Sequence, residues 1–211
     1  VGRCFSVRRT AVLRDADVEY AGVVAAEGVR VVVRVGIVAG VSSLLEAPDA
    51  YITHHLGGIA VLLQNTEGGL RACVNRCAHR QAPIHIADFG QRRMACPYHG
   101  WVYDDAGRVK SVPGNDAHFG LSPEVLSERG LQPIALREVG GLIFVNLAAD
   151  PIALEAQFNA SFLDGIKQLS GTVGDDALFA KFEANYNWKL NFENVIDLNH
   201  VPFIHSGSFA P

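Results

Sequence analysis

Two short pairings of cysteine with histidine stand out in this sequence: Cys77-Ala78-His79 and, sixteen residues further on, Cys96-Pro97-Tyr98-His99. Thiolate sulfur and imidazole nitrogen are ligands of zinc and iron, and a turn bearing one of each can aim both at a common point. Two such turns supply four donors. The stretch 73–101 that contains them holds three of the four cysteines and three of the eight histidines of the 211-residue chain. Any one of these residues, taken alone, reads as a small buried apolar group or a loop polar group. The paired spacing is what points to a metal. Zinc would accept two thiolates and two imidazoles. So would a two-iron, two-sulfide cluster with both thiolates on one iron and both imidazoles on the other. Pro97, Gly100 and Trp101, and a position between hairpins rather than at a finger helix, favour the cluster. Cys4 and Cys73 lack a ligand-like partner and read as structural.

A second group lies in NWKLNFENVIDLNHVPFIH, residues 187–205. Asn194, Asp197 and His200 follow one another at three-residue steps, which on a helix puts them along one wall. His205 comes five residues later. Two histidines and a carboxylate suit a mononuclear non-heme Fe(II), which needs a three-ligand face and open positions for oxygen. The bland alternative is an amphipathic helix with polar residues outward and a chance pair of histidines.

The elements that must position these groups are mostly strands. Ile59–Gln64 and Leu70–Val74 flank Thr66-Glu67-Gly68-Gly69, a hairpin turn signal. Trp101–Tyr103 and Arg108–Ser111 repeat the design around Asp104-Asp105-Ala106-Gly107. Gly140–Leu147 reads as a buried strand. Beyond Asp150 the period changes. Leu154, Phe158, Phe162, Ile166 and Leu169 recur at helical intervals, Gly171–Gly174 is a break, Leu178–Tyr186 alternates as a strand would, and Asn187–His200 reads as a helix. Residues 1–45 carry no motif and read as short strands or an irregular lead-in.

The segment CAHR…CPYHGW resembles the Rieske motif, and its His-Arg and Tyr-His-Gly-Trp neighbours resemble the Rieske domain of ring-hydroxylating oxygenase large subunits. Gln81 departs from the pattern, which has glycine after His-Arg. Glu193-Asn194, Asp197, His200 and His205 resemble the iron-binding run of the same subunits. The resemblance runs from about Tyr51 to His205. It implies that Cys77, His79, Cys96 and His99 hold a [2Fe-2S] cluster and that His200 and His205 bind a mononuclear Fe(II). It further implies that Asp197 bridges an iron-ligand histidine to His99 of a neighbouring subunit, and that Asn194 lies close to the iron. The third iron ligand would come from beyond Pro211, so the chain reads as a fragment that alone keeps the cluster but holds mononuclear iron poorly.

The implied fold is α+β: a lead-in (1–45), an antiparallel β Rieske domain (46–150), and the truncated start of a helix-grip-like α+β catalytic domain (151–211). The implied function is an oxygenase component that inserts O2-derived oxygen into an aromatic or similar organic substrate. Its electrons would come from NAD(P)H through a reductase, with or without a ferredoxin, and its assembly would be a homotrimer or hetero-oligomer. One rival is a Rieske ferredoxin-type carrier, which has no use for the run 194–205; another is a zinc-stabilised interaction module. Bulk properties set the remaining bounds. A net charge of −4 argues against general nucleic-acid binding. Val29–Val41 is interrupted by Arg30 and Arg34, so it does not span a bilayer. Four cysteines without a disulfide framework fit a reducing, cytoplasmic setting. Arg71, Arg76, Arg80, Arg92 and Arg93 surround the ligand loops, a face that could dock an acidic electron donor.

Overall fold

The computed structural model describes residues 36–172, 186–205 and 207–208, in two compact units divided between Ala177 and Leu178. In the first unit, strands β1 (Ile37–Val41), β2 (Ala50–Leu56), β3 (Ile59–Thr66), β4 (Gly69–Val74), β5 (Phe89–Gln91), β8 (Pro133–Val139) and β9 (Leu142–Asn146) form one sheet. Its order is β1-β9-β8-β4-β3-β2-β5, with antiparallel neighbours throughout. A separate hairpin pairs β6 (Val102–Tyr103) with β7 (Val109–Ser111).

The interior strand β3 explains why the sheet is covered on both faces. Val61, Leu62 and Leu63 are all fully buried. Side chains alternate along a strand, and here they divide two cores. Val61 and Leu63 pack with Ile52, Ala72, Ile143 and Val145 on one side. Leu62 packs with Tyr51, Cys73, Trp101 and Tyr103 on the other. The second core also contains Cys77 and Cys96, so the hairpin β6–β7 and both cysteine-bearing loops cap this face of the sheet.

The hairpins fall where the turn residues placed them. Thr66 pairs with Gly69 across a two-residue turn. Asp104 closes the β6–β7 loop by accepting hydrogen bonds from the N–H groups of Ala106 and Arg108 at 2.9 and 2.8 Å. The sheet also takes in β2, β5 and β8, which the alternation pattern did not mark. Residues 36–45, expected as short strands or an irregular lead-in, supply β1 against β9 and a short 3-10 turn.

The helical stretch after Asp150 is two helices, α2 (Leu154–Gln157) and α3 (Ala160–Ser170), after a short α1 (Pro123–Ser127). Phe158 is extended (φ −121°, ψ 139°), and Asn159 caps α3 by accepting from Phe162 N at 2.8 Å. In the second unit, α4 (Trp188–Ile196) is followed by α5 (Val201–Ile204). The helix expected over 187–200 thus ends at Ile196. The expected strand Leu178–Tyr186 lies, except for Tyr186, outside the described residues, as does Cys4.

Candidate functional site

The two cysteine-bearing loops are built alike although their spacings differ. In each, the N–H four residues after the cysteine returns to the cysteine carbonyl: Gln81 N to Cys77 O and Gly100 N to Cys96 O, both at 3.0 Å. In each, the cysteine N–H reaches the carbonyl five residues on, Ala82 O or Trp101 O, both at 2.8 Å. The residue closing each loop is left-handed, at φ +63° for Gln81 and φ +70° for Gly100. Glycine meets that requirement without strain; glutamine carries it at a cost of about 1 kcal/mol or more. The departure at Gln81 therefore keeps the backbone shape of its loop. Within this shared frame, histidine at the third position of one loop and the fourth of the other come together, with the His79 and His99 rings 4.8 Å apart.

The four donors differ in exposure. Cys77 and Cys96 are 1% and 3% exposed, His79 is half-buried and His99 is exposed. Burial pushes the Cys96 thiol up, so a thiolate there needs a positive partner. Tyr103, itself buried, donates its O–H to Cys77 Sγ at 3.0 Å and accepts from Ala78 N at 2.9 Å. His79 stacks on Trp101 with centroids 4.9 Å apart and an interplanar angle of 2°, and its Nδ1 is buried without a hydrogen-bond partner. Desolvation first, then the charges of His99, Arg80 and Arg129, hold its pKa below the ordinary imidazole range. Such an imidazole is neutral and ready to bind a metal.

A buried, unpaired nitrogen beside two buried thiols is the donor set a metal cluster satisfies. Among the described residues, no three His, Cys, Asp or Glu side chains gather tightly enough to hold one ion. The thiols face the core, and the imidazoles are the more exposed donors. Cys73 stands apart on β4; burial pushes its thiol up to about 12, and it has no part in the donor set.

Several residues that hold the site carry no motif signal. Asn75 accepts from Ile84 N and His85 N at 2.9 and 3.1 Å and donates to His85 O at 2.8 Å, closing the base of the first loop. His85 is buried, stacks on Tyr51 with centroids 3.8 Å apart, and faces Gln64 Oε1 at 2.9 Å. The Trp101-Val102-Tyr103 alternation was the one available clue to Tyr103, since it puts Tyr103 on the face of the buried tryptophan. Arg92 is exposed, and its guanidinium also donates to Ile84 O and Ala95 O. Arg71, Arg76, Arg80 and Arg93 are exposed.

In the second unit, the His200 and His205 rings lie 5.3 Å apart. Asp197 N still bonds Glu193 O at 3.0 Å, which extends the helical spacing of α4 to the carboxylate. Asp197 Oδ2 stands 3.5 Å from His200 Nδ1, close enough to orient the ring but not aligned as a hydrogen bond. Asp197 Oδ1 accepts from Asn199 N at 2.8 Å. Asn194 and Asp197 are exposed, and the two histidines are half-buried. The chain thus turns after Asp197, and both histidines flank α5 rather than extending the α4 wall.

Comparison with known proteins agrees with this geometry. Residues 36–132 match the Rieske [2Fe-2S] domain. The glycine betaine monooxygenase oxygenase subunit of Pseudomonas aeruginosa is 28% identical over 171 residues, covering 80% of this chain and 39% of that protein. The anthranilate 1,2-dioxygenase large subunit of Burkholderia cepacia is 28% identical over 168 residues, covering 76% and 40%. The quaternary ammonium Rieske monooxygenase CntA superposes with a TM-score of 0.72 at 26% identity, over 84% of this chain and 49% of that one. The chain therefore spans less than half the length of each of these relatives. Residues 36–132 are thus similar to the Rieske [2Fe-2S] domain, with a donor set that fits its cluster, and similarity to large, oxygenase subunits continues past that domain.

Proposed function

We propose that this chain is the cluster-bearing part of the oxygenase component of a multicomponent Rieske non-heme iron oxygenase. Cys77, His79, Cys96 and His99 would hold the [2Fe-2S] cluster, and His200 and His205 would hold a mononuclear Fe(II). When bound, the cluster supplies single electrons and the mononuclear iron supplies oxygen activation. The chain's own residues do the positioning. Tyr103 and the buried core hold the thiolate end dry, His79 and His99 present the electron-transfer edge, and Asp197 orients His200. A carboxylate at that histidine fixes its tautomer and raises its basicity. In the assembly, Asp197 would also reach His99 of a neighbouring subunit, in a ring of three or a hetero-oligomer. Electrons would come from NAD(P)H through a reductase, with or without a ferredoxin, in the cytoplasm. Among the described residues no helix is long and apolar enough to cross a membrane.

The observation that favours an oxygenase over a simple electron carrier is the juxtaposition of His200, His205 and Asp197, which a carrier does not need. The substrate is a small organic molecule. Relatives are named both for quaternary ammonium compounds and for the aromatic acid anthranilate, so the aromatic reading now stands beside a quaternary ammonium one. The test is to incubate the whole gene product with an NADH-linked reductase, 18O2 and a panel of both classes. Label in an organic product supports the proposal. Reduction and reoxidation of the cluster, with no label in any product and no Fe(II) bound at His200 and His205, would establish the carrier instead.

A further inference from the structure

Arg92 lies between the two ligand loops and bonds to the chain beside each. Its Nη1 donates to Ile84 O at 3.4 Å and its Nη2 donates to Ala95 O. Ala95 directly precedes Cys96. Ile84 lies two residues beyond the first loop, where its own N–H is held by Asn75 Oδ1 at 2.9 Å. The arginine backbone is fixed in turn: Arg92 N donates to Asp49 O at 2.9 Å, and Arg92 O accepts from Gln64 Nε2 at 2.8 Å. Gln64 and His85, which face each other at 2.9 Å, are both 1% exposed. Because the Gln64 carbonyl oxygen only accepts, the proton between them sits on His85 Nε2. A buried, mutually bonded pair of this kind gives the base of Arg92 little freedom.

We infer that Arg92 is a positioning residue for the cluster: its guanidinium fork ties the chain just ahead of Cys96 to the chain just beyond the Cys77 loop, and so sets the spacing between the two ligand loops. A planar fork can hold two carbonyls in fixed directions, whereas a lysine ammonium is a point charge on a flexible stem. Lysine at this position keeps the charge and loses the brace, which separates geometry from electrostatics. The inference rests on the assignment of Cys77, His79, Cys96 and His99 as ligands.

The test compares the parent chain with Arg92→Lys, Arg92→Met and Arg93→Met, the last an exposed neighbour that removes the same charge. Two properties are read on cluster-loaded protein: the EPR linewidth of the reduced cluster, and the rate at which its visible absorption decays under excess iron chelator. Both Arg92 variants should broaden the EPR lines and lose the cluster about tenfold faster, the order expected for one lost charge-assisted hydrogen bond. Arg93→Met should match the parent. Parental linewidth and chelation rate in Arg92→Lys would overturn the inference. So would an Arg92→Lys chain that cannot fold even without its cluster, since the residue would then be holding the domain rather than the loops. A parent lacking labile sulfide removes the ligand assignment and the inference with it, and that result is read before any variant is made.

Discussion

Replacing Tyr103 by phenylalanine removes one oxygen and with it two hydrogen bonds, to Cys77 Sγ at 3.0 Å and from Ala78 N at 2.9 Å. The ring stays, so the packing against the buried core is preserved. Tyr103 is only 4% exposed, so water does not replace the lost donor. A hydrogen bond to a charged acceptor contributes about 1.5–3 kcal/mol. Only the part that differs between oxidation states moves the potential. Reduction adds negative charge that the thiolates share, so the bond is stronger in the reduced form. If that differential is about 1 kcal/mol, a one-electron couple moves by about 40 mV. The Tyr103→Phe cluster should therefore be harder to reduce, with a midpoint lower by some tens of millivolts. A spectroelectrochemical titration followed by circular dichroism measures this directly. A midpoint unchanged within about 10 mV, in a variant with the parental spectrum, would refute the reasoning that the hydroxyl acts on the cluster through Cys77.

Gly100→Ala should destabilise the cluster-bearing domain by about 1–3 kcal/mol, read from urea unfolding of the holo form, because φ is +70° and an added Cβ would meet Pro113 Cγ at 3.0 Å. Gln81→Gly should do no harm at the equivalent place in the first loop, and a loss of stability there as large as that of Gly100→Ala would contradict the matched-loop account. Asp197→Asn should leave the visible spectrum of the cluster intact while slowing its oxidation by the mononuclear iron about 10- to 100-fold in rapid-mixing single-turnover experiments; full-speed transfer would rule out an orienting role. Burial first and then the Arg92 charge lower His85 from 6.5 to about 4. The unfolded chain takes up that proton between the two values and the folded chain does not, so stability should fall by up to about 3 kcal/mol as pH drops through this window. In His85→Phe this part of the pH dependence should disappear.

The donor set and its two loops were legible because metal ligands need fixed residue types at fixed spacings, and spacing survives in the linear sequence. The hairpin β3–β4 was legible for a related reason: Gly68 and Gly69 mark the turn, and the apolar run before it marks a strand covered on both faces. Strands β2 and β8 were not, because their residues face different environments along their length. His54 and His55 in β2 and Arg137 and Glu138 in β8 break the alternation that a half-buried strand would show. The split between α2 and α3 hinges on Phe158 turning extended ahead of the Asn159 cap, and Phe158 still keeps helical spacing in the sequence. The brace around the loops was the least visible part. Asn75, Gln64, His85 and Arg92 matter through contacts made 8–28 residues apart in the chain, and no local pattern announces such contacts. Arg92 in particular is exposed like its arginine neighbours, and only its bonds to Ile84 O and Ala95 O set it apart.

In the proposed centre one cluster would be held unequally, by the two buried thiolates of Cys77 and Cys96 and the two imidazoles of His79 and His99. Iron and acid-labile sulfide analysis combined with pulsed EPR of the reduced protein tests this most directly. The account predicts a [2Fe-2S] centre with couplings from two histidine nitrogens, and that His79→Cys and His99→Cys each remove one of them. Zinc without sulfide, or a cluster showing no nitrogen coupling, would contradict it.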